Sequence, residues 1–178
     1  MSDRDGSARA AELRREFDRA FAEPARAEAV EAPVPLLALR AGADSCLVRL
    51  SDMQGLLARP TIVPLPGPLP ELLGLTGVRG ALLPVFSLAA LRGQAAGGAV
   101  PPWMIVVEAD GPVGLAFEEM LGYVTLKRSE VASLPRGSGA AETQAARVGD
   151  TLRPLIDVSS LVAELKRRAA QAVAYRQE

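Results

Sequence analysis

Leu72-Leu73-Gly74-Leu75-Thr76-Gly77-Val78-Arg79-Gly80-Ala81-Leu82-Leu83-Pro84-Val85-Phe86-Ser87-Leu88 consists of two short apolar runs that meet at an Arg-Gly pair. Leu72 to Val78 and Ala81 to Phe86 read as strands, and Arg79-Gly80 as the turn between them, because glycine supplies the backbone angles a tight reversal needs. Upstream, Leu36 to Arg40 and Ser45 to Arg49 flank Ala41-Gly42-Ala43-Asp44 and read as a hairpin. Leu50, Met53, Leu56 and Leu57 carry a helical spacing over Leu50 to Ala58, and Pro60 ends it. Thr61 to Leu65 is a further strand candidate. Pro64, Pro66, Pro68 and Pro70 then make a stiff loop, since each proline fixes its own backbone and withholds a donor.

Downstream, Gly93 to Pro102 is a connection rich in Gly, Ala and Pro. Trp103 to Glu108 and Val113 to Phe117 enclose Ala109-Asp110-Gly111-Pro112, whose Asp-Gly step signals a hairpin. Met120 to Leu126, Thr143 to Val148 and Leu152 to Ile156 follow as strands. From Asp157, an N-cap, Leu161, Leu165, Ala169 and Val173 recur every four residues and Glu164 faces Arg168, so the chain ends in an amphipathic helix. Short strands with turns every eight to twelve residues or so, and no βαβ alternation, argue for small barrels over a doubly wound sheet. The expected fold is mainly β, as two small five-stranded barrels around one hydrophobic core, closed by that helix.

Composition narrows the function. The 178 residues hold one ordinary domain and an extension, and the near absence of aromatics makes its core aliphatic. Arg is interleaved with Asp and Glu to a net charge of −1, so no basic stripe marks nucleic acid as a partner. The most apolar run, Leu82 to Leu91, is too short to insert in a bilayer, and Met1-Ser2-Asp3-Arg4-Asp5 opens charged sequence, so a cytoplasmic protein is expected. No histidine is present and Cys46 is the sole cysteine, which excludes His-dependent catalysis, a His phosphoacceptor and intramolecular disulfides. No metal and no cofactor is expected. Residues 1–33 read as an extension in which Leu13, Phe17 and Phe21 share one face of a short helix before Pro24; residues 34–165 are the domain, and 166–178 the end of the last helix and tail.

The segment Leu72 to Leu88, with its Arg-Gly pair and its Pro-Val strand, resembles the signature of CheW-like domains. The likeness extends upstream through Leu50 to Leu57 and Val63-Pro64-Leu65-Pro66-Gly67. Downstream it takes in Val113-Gly114-Leu115-Ala116-Phe117-Glu118-Glu119-Met120-Leu121-Gly122 and the closing Leu152-Arg153-Pro154-Leu155-Ile156-Asp157-Val158. This resemblance implies two SH3-like five-stranded subdomains and a non-catalytic adaptor between the cytoplasmic tip of a chemoreceptor, a methyl-accepting chemotaxis protein, and the regulatory domain of a CheA-type histidine kinase. It also implies a receptor-facing position for Arg79, with Val78, Gly80 and Gly74 around it. The chain departs from the family pattern at Gly55 and Ser87, where acids are usual, at Gly77-Val78, and at the longer acid Glu118.

A guanidinium at Arg79 suits a receptor carboxylate or helix carbonyl; the plainer alternative is that it caps a carbonyl of its own barrel. Gly74 and Gly80 shape the backbone. Val113, Leu115 and Met120 are candidates for an apolar wall of the receptor site, and Leu50, Met53 and Leu56 for the kinase contact or, more simply, for core. Glu118 and Glu119, adjacent on a strand, point apart and read as surface carboxylates, not an acid-base pair. Cys46 reads as a small core residue. Gly74, Gly77 and Gly80 lack the Lys-Ser or Lys-Thr of a phosphate loop. Two other functions remain open: a divergent adaptor that binds the receptor but not the kinase, and a small-ligand sensor.

Overall fold

Four consecutive side chains of the first strand, Leu36, Leu37, Ala38 and Leu39, are all buried, which a strand achieves only when both of its faces are covered. Leu37 and Leu39 point into one apolar cluster, Leu36 and Ala38 into another. The computed structural model in which this is seen describes residues 32–66, 69–95, 99–108, 111–134 and 141–174. The chain divides into two units, Met1–Ala32 and Pro33–Glu178, and the fold is that of the second. The helix expected at Leu13, Phe17 and Phe21 lies outside the described residues.

β1 (Val34–Ala41) and β2 (Asp44–Arg49) form the expected hairpin, with Gly42 at φ 67° in its turn. The chain then builds a complete second sheet before returning. β3 (Met53–Ala58), β4 (Leu72–Val78), β5 (Ala81–Ser87), β6 (Trp103–Glu108) and β7 (Pro112–Phe117) make a five-stranded middle sheet in the order β3-β6-β7-β5-β4. β8 (Glu119–Leu126), β9 (Val131–Ser133), β10 (Gln144–Val148) and β11 (Thr151–Ile156) rejoin β1 and β2 in a six-stranded terminal sheet, β8-β1-β2-β11-β10-β9. Ser87 accepts the Ala90 N–H and caps a single helical turn, α1 (Leu88–Leu91).

The closing helix α2 (Val158–Ala174) starts at the predicted cap: the Asp157 carboxylate accepts from the Ser160 N–H at 3.1 Å and from its hydroxyl at 2.9 Å. Leu161, Val162 and Leu165 enter a cluster shared by the two sheets, with Leu37, Leu39 and Val48 from one and Phe86, Ile105, Leu115 and Phe117 from the other. Each sheet also keeps a smaller interior of its own. In the terminal sheet this is Leu36, Leu47, Leu126 and Leu155; in the middle sheet it is Leu83, Val85, Met104 and Val106.

The mainly β, two-subdomain, SH3-like architecture with a shared core is therefore as expected, with a sixth strand in the terminal sheet because three-residue β9 pairs with β10. Two local expectations fail. Leu50 to Ala58 is not a helix: Leu50–Asp52 is a 3₁₀ turn, and Met53 onward is β3 paired with β6. A bulge between Met53 and Gly55 inserts one residue, so Met53 and Leu56, three apart, fall on the same face toward the shared core. Thr61 to Leu65 is no strand either. Val63 makes an isolated bridge to Leu75, and the prolines at 60, 64 and 66 deny the donors a ladder needs. Among the described residues no helix is long and apolar enough to cross a membrane.

Candidate functional site

β4 and β5 reverse through Arg79 (φ 50°) and Gly80 (φ 83°), positive at both central positions, as a type I′ hairpin turn requires. Glycine takes this conformation freely; arginine does so at a cost of about 1–2 kcal/mol. The fold thus carries a long cation where asparagine or glycine would be easier. Arg79 is exposed, and no hydrogen bond or ion pair ties it to another described residue. It does not cap its own barrel.

Beside it lies a groove of about 480 Å³. It opens between β3 and β4, the two edge strands of the middle sheet, which curl toward each other without pairing. Leu57, Val78, Leu83 and Val106, all part of that sheet's own apolar interior or packed against it, line the groove. Gly55 on β3 and Gly77 on β4 contribute backbone alone, and a Cβ built on either would meet nothing within 4 Å. Arg79 is the sole formal charge among the lining residues.

The candidate residues separate when placed on this geometry. Val78, Arg79 and Leu56 line the groove together, although the sequence assigns Leu56 to a different partner. Gly80 holds the turn. Gly74 (φ 149°) is structural, because a Cβ there would lie 2.0 Å from the Val63 carbonyl oxygen. Val113 and Leu115 are not a groove wall: β7 lies between β6 and β5, and both side chains are buried in the shared core. Leu50, Met53 and Met120 are half-buried and pack on that core.

Glu118 accepts the Gly42 N–H at 2.8 Å and Glu119 pairs with Arg40 at 2.6 Å, so the adjacent acids serve separate structural contacts. Burial pushes the Cys46 thiol up to about 12, which leaves it protonated and unreactive at neutral pH. Sequence reading missed the exposed apolar side chains of Leu82 (77 % exposed) and Tyr123 (63 %). Leu82 stands opposite Gly77 on the neighbouring strand, a pairing that only the register reveals.

A second cavity, of about 440 Å³, lies along α2 and is lined by Arg92, Glu142, Glu164 and Arg168 among others. Its charged groups engage one another. Arg92 Nε meets Glu142 at 2.7 Å, Glu164 is 3.9 Å from Arg168, and Arg168 also reaches the buried Glu71 at 2.6 Å. These mutual pairs give no support to a small-ligand sensor. Among the described residues no cluster of three or more His, Cys, Asp or Glu has the arrangement to hold a metal ion.

A family model described as the CheW-like domain matches residues 35–166, most of the chain. The chain belongs to the CheW-like domain family. Among solved structures its fold is similar to that of the scaffolding protein TtCheW from Thermoanaerobacter tengcongensis, with a TM-score of 0.66 over 72 % of this chain and 92 % of that one. At 17 % identity that likeness establishes the fold alone. Comparison with curated proteins gives no match. Family membership makes this CheW-like chain a scaffolding adaptor of chemotaxis, and within its fold the groove beside Arg79 joins an apolar floor to an unengaged cation.

Proposed function

We propose that this CheW-like domain couples the cytoplasmic tip of a chemoreceptor to the regulatory domain of a CheA-type histidine kinase, working in the cytoplasm and without catalysis. The observation that carries the reading is a guanidinium with no partner among the described residues, held in a strained turn at the rim of an apolar groove. Receptor tips are helical. A helix laid into a groove draws affinity from buried aliphatic area at roughly 25 cal/mol per Å², and a rim charge adds orientation through a charge-assisted hydrogen bond.

Leu57, Val78 and Arg79 make the proposed receptor contact, while Leu56 borders the groove with its side chain packed on the shared core. The kinase contact is proposed around Leu50 and Met53, at the start of β3, outside the groove lining. An adaptor touching both partners fixes their relative geometry, so a shift in the receptor biases the kinase to the extent that the two states contact the adaptor differently. A pull-down with a receptor-tip fragment and, separately, a kinase regulatory domain tests the proposal. Capture of both supports coupling. Capture of the receptor fragment alone identifies a receptor-bound member that leaves the kinase to others, and capture of neither overturns the reading.

A further inference from the structure

A second charge stands at the mouth of the groove. Glu108 ends β6 two residues beyond Val106, so its side chain lies on the same face of that strand as a residue of the groove lining. Across the β6–β7 hairpin it is paired with Pro112, another lining residue, and Gln54, a third, donates its Nε2 to Glu108 Oε2 at 2.9 Å. The other Glu108 oxygen accepts the Gly111 N–H at 2.8 Å. Both donors are neutral, and no ion pair ties this exposed carboxylate to another described residue. Register sets Glu108 and Arg79 at one end of the middle sheet: β4 turns into β5 at Arg79, β6 ends at Glu108 where β7 begins, and β5 and β7 run parallel from there. With β7 between β5 and β6, the two opposite charges do not neutralise each other.

We infer that Glu108 is the specificity-determining counterpart of Arg79: the two charges fix the direction in which a partner helix lies in the groove, by meeting a base and an acid about two helical turns apart on it. The inference rests on the reading of this groove as the receptor-helix site. The spacing follows from the sheet. β5 and β6 are two strand separations apart, about 10 Å. At 1.5 Å per residue a helix covers that distance in about seven residues, two turns, which returns both side chains to one face. The floor of Leu57, Val78, Leu83 and Val106 cannot choose a direction, because aliphatic burial is non-directional. Opposite charges can, since the reversed helix would set like charges together.

The test uses the full chain, labelled with nitrogen-15, and a receptor signalling-tip fragment carrying a nitroxide at one end of its helix. The amides of Gly80, beside Arg79, and Gly111, beside Glu108, report where the label lies. Wild type is compared with Glu108→Gln, Glu108→Asp and Arg79→Asn. Glutamine keeps an oxygen for the hairpin and removes the charge; aspartate keeps the charge and shortens the arm that reaches Gln54. In wild type the label should broaden one of the two glycine amides and spare the other. Glu108→Gln should broaden both, weaken binding about two- to fivefold and make it less sensitive to salt, whereas Glu108→Asp should keep the wild-type direction. If Glu108→Gln keeps both direction and affinity while Arg79→Asn weakens binding, Glu108 only caps its hairpin, and the inference is overturned while the docking site stands. If Glu108→Asp behaves like Glu108→Gln, the clamp on Gln54 and not the charge is responsible, which also overturns it. If neither Glu108→Gln nor Arg79→Asn changes affinity, the docking site itself is wrong. Wild type decides the matter even where a variant fails to fold, since equal broadening of both glycines there contradicts a single direction.

Discussion

Replacing Arg79 with asparagine should stabilise the protein while removing its function. In the turn, Arg79 has a φ of 50°, and an ordinary L-residue in that region gives up about 1–2 kcal/mol relative to its preferred conformations. Asparagine tolerates the left-handed region because its short side chain bonds locally, and Asn-Gly is the favoured pair for a type I′ turn. The exchange should recover roughly 0.5–1 kcal/mol, about half the strain. For a chain of this size that corresponds to a rise of about 1–4 °C in Tm. No described partner is lost, since Arg79 makes no ion pair. Receptor binding should move the other way. A hydrogen bond to a charged group contributes about 1.5–3 kcal/mol, which predicts a Kd roughly ten- to a hundredfold weaker. Circular dichroism melts give the first quantity and calorimetric titration with a receptor-tip fragment the second. A fall in Tm would show that Arg79 holds the barrel together, and unchanged affinity would show that the groove is not where the receptor sits.

Other substitutions separate fold from function. Arg59, the other described non-glycine residue at positive φ (50°), lies outside the groove lining, so Arg59→Asn should raise Tm by a comparable amount and leave receptor affinity unchanged. Leu165 is buried in the core the two sheets share; Leu165→Ala should lower stability by about 2–5 kcal/mol in urea denaturation, with a loss below about 1 kcal/mol contradicting the helix's place in that core. The Cys46 thiol is pushed up to about 12 mainly by burial, with Arg92 opposing. Because its folded value is raised, the stability it contributes is complete below about pH 8.5, where the unfolded thiol titrates, and is lost as pH rises toward 12. Denaturation midpoints from pH 8 to 11 should therefore fall less steeply in Cys46→Ala than in wild type, and an aromatic disulfide reagent at pH 8 should label wild type only once it unfolds.

The Arg79-Gly80 hairpin was legible in sequence because turn chemistry is local: an Arg-Gly step between apolar runs leaves few alternatives. The cap at Asp157 and the four-residue period of Leu161 and Leu165 were legible for the same reason. The errors arose where a side chain's role is set by distant chain. A bulge opposite Val106 and Val107 turned an alternating strand into the three-residue spacing of Met53 and Leu56, which by itself reads as helix. Val113 and Leu115 alternate with other apolar residues, and nothing in their own segment tells which face lies beneath a second sheet. The groove was half visible. Arg79 announced itself, but Gly55 and Gly77 sit on edge strands that are not hydrogen-bonded partners, so no pairing rule relates them. Curvature of the middle sheet brings them to one opening, and curvature has no short-range signature.

Coupling itself is most directly tested by asking whether one copy of the chain holds both partners at once. Receptor-tip fragment is titrated into the chain alone and into the chain saturated with a kinase regulatory domain, with the complexes sized by light scattering. The account predicts a ternary complex whose receptor affinity falls at least about tenfold with Arg79→Asn while kinase binding is unaffected. Mutual exclusion of the two partners, or loss of the kinase with Arg79→Asn, would contradict separate contacts and with them the adaptor mechanism.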